Sequence, residues 1–197
     1  MFSDELRLLV RPVRGYRKLA AEPLPAPGRV ALGRVALLLF VIGATVSFAS
    51  AGRLVIAHLV FVPIGWLAFP ALQLAGVSGA LRFVRQRPPG LAAHALYLAG
   101  NGPFLLALLA VAGVLLLAPD VAAAFGFLLS SGLLVIAAMG AMAWSWLTSY
   151  AFYRTCTEST PGKAARLVVV EWAIKIGLAL VWYQAMNNLL PQFVGTR

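Results

Sequence analysis

The sequence predicts an all-α integral membrane protein, with about five transmembrane helices preceded by an amphipathic interfacial helix. Three observations predict it. First, 61% of the 197 residues are hydrophobic and 11% charged, and mean hydropathy is +0.89. A water-soluble domain carries about a quarter charged residues, so lipid must solvate much of this surface. Second, charge-free runs recur at Val35–Gly52, Leu54–Leu81, Pro88–Pro119, Val121–Tyr153 and Ile176–Thr196. A bilayer crossing needs about 20 such residues. Third, the basic residues cluster between alternate runs.

That third pattern sets the orientation. Arg7, Arg11, Arg14, Arg17, Lys18, Arg29 and Arg34 precede the first run. Arg82, Arg85 and Arg87 separate the second from the third, and Arg154, Lys163 and Arg166 the fourth from the fifth. Only Arg53 and Arg197 fall on the other side. The positive-inside rule then predicts a multi-pass protein of the cell inner membrane, N-terminus cytoplasmic and C-terminus outside. The net charge of +10 is thus read as topology and not as a nucleic-acid surface.

Residues 1–28 form an arm and linker, and residues 29–197 the bundle. In the arm, Phe2, Leu6, Leu9, Val13 and Tyr16 recur at three- and four-residue spacing, with Arg7, Arg11, Arg14 and Lys18 on another face. This predicts a helix lying on the membrane, bent at Pro12, whose Arg7, Arg11, Arg14, Arg17 and Lys18 reach lipid headgroups. A helix docked on the protein's own loops is the alternative. Glu22-Pro23-Leu24-Pro25-Ala26-Pro27-Gly28 ends it. The charged N-terminus, broken by Pro12, does not read as a cleavable signal peptide.

The first span borrows Val30–Gly33, with Arg34 snorkelling to the interface. The second is kinked by Pro63 and Pro70, and the third is interrupted at Asn101-Gly102-Pro103, where an unwound polar stretch offers either a structural kink or a binding site. The fifth starts near Leu167, which puts Glu171 and Lys175 inside it. Thr160 and Pro161 read as N-cap and first helical residue.

Charged groups within a span cost about 2.5–3.5 kcal/mol each at mid-helix. Glu171 and Lys175, four apart with the acid first, are placed to neutralise each other. With Asn101 they form a candidate intramembrane polar site, either an ion, proton or partner contact or a structural pair. His58 and His94 fall on opposite sides and read as interhelical hydrogen-bonders rather than ligands. Trp144, Trp146, Tyr150 and Tyr153, with Ser145, Thr148 and Ser149, read as an interfacial aromatic belt. Cys156, the single cysteine, has no partner spacing for metal or redox chemistry. No nucleophile elbow, paired carboxylates, metal spacing or phosphate loop is present, so no catalytic residue, metal or cofactor is expected.

The opening Leu6-Arg7-Leu8-Leu9-Val10-Arg11-Pro12, the run Tyr16-Arg17-Lys18-Leu19 to Glu22-Pro23, the interruption at Gly102-Pro103 and the entry Pro161-Gly162-Lys163-Ala164 together resemble the Yip1-domain family of small five-span membrane proteins. The resemblance spans nearly the whole chain as a pattern of hydropathy and prolines. It implies a non-enzymatic protein acting through protein or lipid partners, and it supplies no catalytic residues. The expected partners are membrane lipids and either other membrane subunits or further copies of the chain. Two alternatives stand beside it: an accessory subunit of a photosynthetic, respiratory or transport complex, and a small transporter or channel using Glu171, Lys175 and the break at Asn101.

Overall fold

A computed structural model describes residues 7–8, 10–21, 24–83, 90–117 and 133–193. All regular structure among them is helical: α1 (Pro12–Ala21), α2 (Pro27–Ala51), α3 (Ile56–Trp66), α4 (Ala68–Phe83), α5 (Leu91–Ala99), α6 (Gly102–Leu117), α7 (Leu133–Cys156) and α8 (Pro161–Phe193). The expected outer turn Ala118-Pro119-Asp120, the start of the fourth run at Val121, most of the inner loop Phe83–Gly90, and Phe2, Leu6 and Leu9 lie outside the described residues.

Two segments, Pro27–Ala51 and Ile56–Arg82, are long and apolar enough to cross a membrane. The first begins at Pro27, earlier than the charge-free run, because Pro at the first helical position sacrifices no hydrogen bond. It ends at Gly52, whose φ of 63° is the left-handed conformation that closes a helix without a Cβ penalty. The hairpin to α3 is then tied by Ser47, which donates to Arg53 O (2.8 Å) and accepts from Val55 N (2.7 Å). A Cβ on Gly43 would stand 3.3 Å from His58 O, so this glycine lets α2 and α3 approach closely.

The second segment is a helix with one kink, as expected. It turns at Leu67, between α3 and α4, where Leu67 N bonds back only three residues to Ile64 O (3.3 Å). Pro70 explains the position: it has no N–H for the carbonyl of Trp66, and its ring clashes there. Pro63, inside α3, is accommodated without a break. The turn lets α3 pack on α2 while α4 packs on α8.

The third run breaks at Gly100–Asn101, and α6 restarts at Gly102. Pro103 thus occupies the first turn of a new helix, where no donor is missed, and does not kink a continuous one. Helix α8 begins at Pro161, the residue read as its first helical position and six residues ahead of the span expected from Leu167. Lys163 N reaches Thr160 Oγ1 (3.4 Å) and Ala164 N reaches Thr160 O (2.9 Å), which matches the N-cap reading. Its 33 residues make a rod of about 50 Å, longer than a hydrocarbon core.

Helix contacts close a ring in the order α2, α5–α6, α7, α8, α4–α3 and back to α2. Arg34 donating to Ala95 O and Thr45 donating to Leu108 O (3.4 Å) make α2 and α5–α6 parallel. Gly76 beside Lys175 and Gly79 beside Ile174 make α4 and α8 antiparallel. Ser149 against Glu171 and Trp146 against Trp172 make α7 and α8 antiparallel. Chain direction therefore alternates along the chain, from α2 to α3–α4, α5–α6, α7 and α8.

The core lies at one end of this ring. Leu8, Tyr16, Val77, Leu81, Phe152 and Leu167 are buried together there. Helix α1 turns its apolar residues onto α7 and α5, with Tyr16 edge-on to Phe152 at 5.8 Å. The arm thus packs on helices of the bundle, not on its loops. Of the apolar face that was expected to enter lipid, Tyr16 is buried in the bundle and Val13 is half-buried against it, while Arg7, Arg11, Arg14, Arg17 and Lys18 stay exposed. Arg34, expected to snorkel, instead hydrogen-bonds between helices.

Candidate functional site

Glu171 and Lys175 of α8 lie one turn apart and meet inside the ring. Glu171 is fully buried, and the Lys175 side chain is 12% exposed. Lys175 Nζ pairs with Glu171 Oε1 and donates to the Tyr97 hydroxyl of α5 at 2.6 Å. Tyr97 in turn donates to Glu171 Oε1, and Ser149 of α7 donates to the same oxygen at 3.2 Å. One carboxylate oxygen thus collects donors from three helices, and the pair's charges cancel in place. Such a network offsets the cost of burying ions to the extent that its members are satisfied. Glu171 Oε2 and the buried Tyr153 hydroxyl are the exceptions, with no hydrogen-bond partner among the described residues.

Lys175 is held further by aromatic faces, 5.2 Å from the ring centres of both Tyr97 and Trp172. Glycine makes the approach possible: a Cβ on Gly76 would lie 2.8 Å from Lys175 Cγ and 3.3 Å from Glu171 O.

Asn101 joins a different polar pair. At the break its amide and that of Gln73 on α4 exchange two hydrogen bonds of 2.9 Å. Between this pair and Tyr97 lies a cavity of about 460 Å³, lined by Phe69, Phe104, Trp144, Ser145, Thr148 and Trp172 among others. Tyr16 of the arm also reaches it, its hydroxyl 3.5 Å from Tyr97 O and 2.5 Å from where a Gly100 Cβ would stand. Burial pushes the Tyr16 hydroxyl well above the usual tyrosine range, so it stays protonated as a donor.

Asn101 and Tyr97 line the cavity, and Glu171 and Lys175 meet Tyr97 without lining it. Sequence reasoning did not single out Tyr97. Its signal was a hydroxyl-bearing ring inside an apolar helix, which must find a partner when buried. Thr148 and Ser149, read as part of an interfacial belt, are buried in the bundle. His58 bonds Ser50 (3.2 Å) and His94 bonds Ser78 (2.9 Å), each joining two helices. Among the described residues no three His, Cys, Asp or Glu side chains come together as round a metal.

The lipid-contact candidates Arg7, Arg11, Arg14, Arg17 and Lys18 are gathered on the arm, on its exposed side and remote in sequence from the ion pair. Compared with known proteins, the chain matches no protein family, no curated protein and no solved structure.

Proposed function

We propose that the chain is a non-enzymatic, Yip1-like inner-membrane protein that crosses the bilayer five times and acts through protein or lipid partners. The observation that carries this reading is inverted polarity. Ions and amides point into the ring, while Ile56, Phe61 and Val181 are 80%, 70% and 67% exposed. Only 17% of the apolar Ile56–Arg82 window is buried. A helix of a soluble core would be mostly buried, and an apolar surface of this extent needs lipid or another protein against it. Reversal of direction at each pass, together with the alternating charge of the connections, supports five crossings with the arm in the cytoplasm.

Purification in mild detergent, with mass spectrometry of co-eluting chains and lipids, tests the partner reading. It predicts bound anionic lipid or a partner protein, diminished when the five arm cations are replaced by Gln. A chain that carries neither would contradict it. Stoichiometric large subunits would favour an accessory subunit instead.

A small transporter is a second reading, favoured by the buried ion pair standing beside a cavity. In reconstituted vesicles Glu171→Gln/Lys175→Met would then abolish flux; unchanged flux would remove those residues from any pathway.

A further inference from the structure

Resting on the membrane reading above, we propose that the cavity at the Gly100–Asn101 break takes an acyl chain of a bilayer phospholipid, which enters sideways between α6 and α7. Its volume of about 460 Å³ lies in the range of small-molecule sites, about 300–1,000 Å³. The cavity is open on one side. In its lining, Phe104 of α6 is 38% and Met142 of α7 48% exposed. Gly140 of α7 is exposed too, with open space where a Cβ would stand. Helix α6 packs on α2, while α7 packs on α1, α5 and α8, which leaves the side between α6 and α7 open.

That opening faces hydrocarbon. Its rim runs into the outer apolar surface, where Leu109 of α6 and Met139 of α7 are exposed. Met142 lies about 20 Å from the Cys156 end of α7, at 1.5 Å per residue. In a bilayer core about 30 Å thick, that depth holds acyl chains and not headgroups.

The lining selects a chain over a head. No Lys, Arg, Asp or Glu is in it, so a phosphate would find no basic side chain there. Most of its polar groups are spent on the protein itself. Gln73 and Asn101 bond each other, Thr148 donates to Ser145 O at 2.9 Å, and Tyr97 and Ser149 donate to Glu171. The indole N–H groups of Trp144 and Trp172 are closed off, so these two side chains offer the cavity only carbon. With Phe69, Phe104 and Met142 they make an apolar wall. A flexible hydrocarbon fits such a wall without directed polar contacts, and it restores the dispersion contacts that an empty apolar cavity forfeits.

Photo-crosslinking tests it, with the full chain in phosphatidylglycerol vesicles that contain a phospholipid bearing a diazirine at mid-chain, and with labelled residues mapped by mass spectrometry. Label is expected on Thr148 and Tyr97, which are buried and line the cavity. It is also expected on Phe61, whose exposed ring reports contact with the bilayer. Gly140→Phe puts a ring at the opening and should lower the Thr148 and Tyr97 label severalfold, with Phe61 unchanged. Gly177→Phe, on α8 and outside the cavity, has equal room and should change neither. If Gly140→Phe fails to fold, Ser145→Leu in the same lining carries the comparison. Label on Phe61 but not on Thr148 and Tyr97, or full label in the folded Gly140→Phe, would overturn the proposal and leave the membrane reading standing. An absence of label on Phe61 would remove the membrane reading and the proposal with it. A free fatty acid with the same diazirine that labels Thr148 where the phospholipid does not would also overturn it.

Discussion

The Lys175 ammonium lies 2.6 Å from the Tyr97 hydroxyl, while its ion-pair partner Glu171 accepts a hydrogen bond from that same hydroxyl. One tyrosine on α5 therefore bridges both members of the ion pair, and it also lines the cavity.

Breaking this bridge from one side leaves an uncompensated buried charge. Glu171→Gln should cost about 3–5 kcal/mol, and Lys175→Met a similar amount. Glu171→Gln/Lys175→Met should cost less than the sum and less than the worse single variant, because both charges leave together. Thermal melting of the four proteins in one detergent measures the cycle. Strictly additive losses would show that the two groups do not share a network.

The α4–α8 contact distinguishes two glycines. A Cβ on Gly79 would stand 2.7 Å from Ile174 Cδ1, the free end of a flexible side chain that can turn away. A Cβ on Gly76 meets Lys175, which is tied to Tyr97 and Glu171, and also backbone at Glu171 O (3.3 Å). Gly76→Ala should destabilise by about 1–3 kcal/mol, and Gly79→Ala by clearly less. Equal melting temperatures for the two variants would contradict this ordering.

The arm is anchored by shape more than by its hydrogen bond. Tyr16 is buried against Phe152, but its contact to Tyr97 O, at 3.5 Å, is long. Tyr16→Ala should cost about 3–5 kcal/mol and make the arm sensitive to limited proteolysis. Tyr16→Phe should cost under about 1 kcal/mol and leave the arm protected. A Phe variant cleaved as fast as the Ala variant would assign the anchoring to the hydroxyl.

Cys156, the last residue of α7, gives a pH-dependent readout at the arm end of the bundle. Burial pushes its thiol up to about 11, and only the thiolate reacts. At pH 7 the thiolate fraction is then about a hundredfold below that of a thiol at 9.0. Maleimide labelling should be slow at pH 7 and rise about tenfold per pH unit through pH 10. A rate that levels off near pH 9 would show an unshifted thiol.

Much of this architecture is legible from local rules. Charge-free runs locate the helices, Thr160-Pro161 marks the start of α8, and the four-residue spacing of Glu171 and Lys175 foretells their pairing. The remainder depends on tertiary choice. Pro63 and Pro70 both suggest kinks, yet the segment bends only at Leu67, one turn ahead of Pro70, where α3 leaves α2 and α4 joins α8. An amphipathic arm faces lipid or protein with the same periodicity, and only the fit of Leu8 and Tyr16 into the bundle selects protein. Tyr97 and Ser149 become site residues because the ring brings α5 and α7 against α8. Neither is close in sequence to the charges it satisfies, so spacing carries no trace of the contact.

The five-crossing layout is tested most directly by topology reporters fused after Arg53, after Glu158 and at the C-terminus of the full chain in cells. The account predicts an external signal at Arg53 and the C-terminus and a cytoplasmic signal at Glu158. Cytoplasmic signals at all three positions would contradict it.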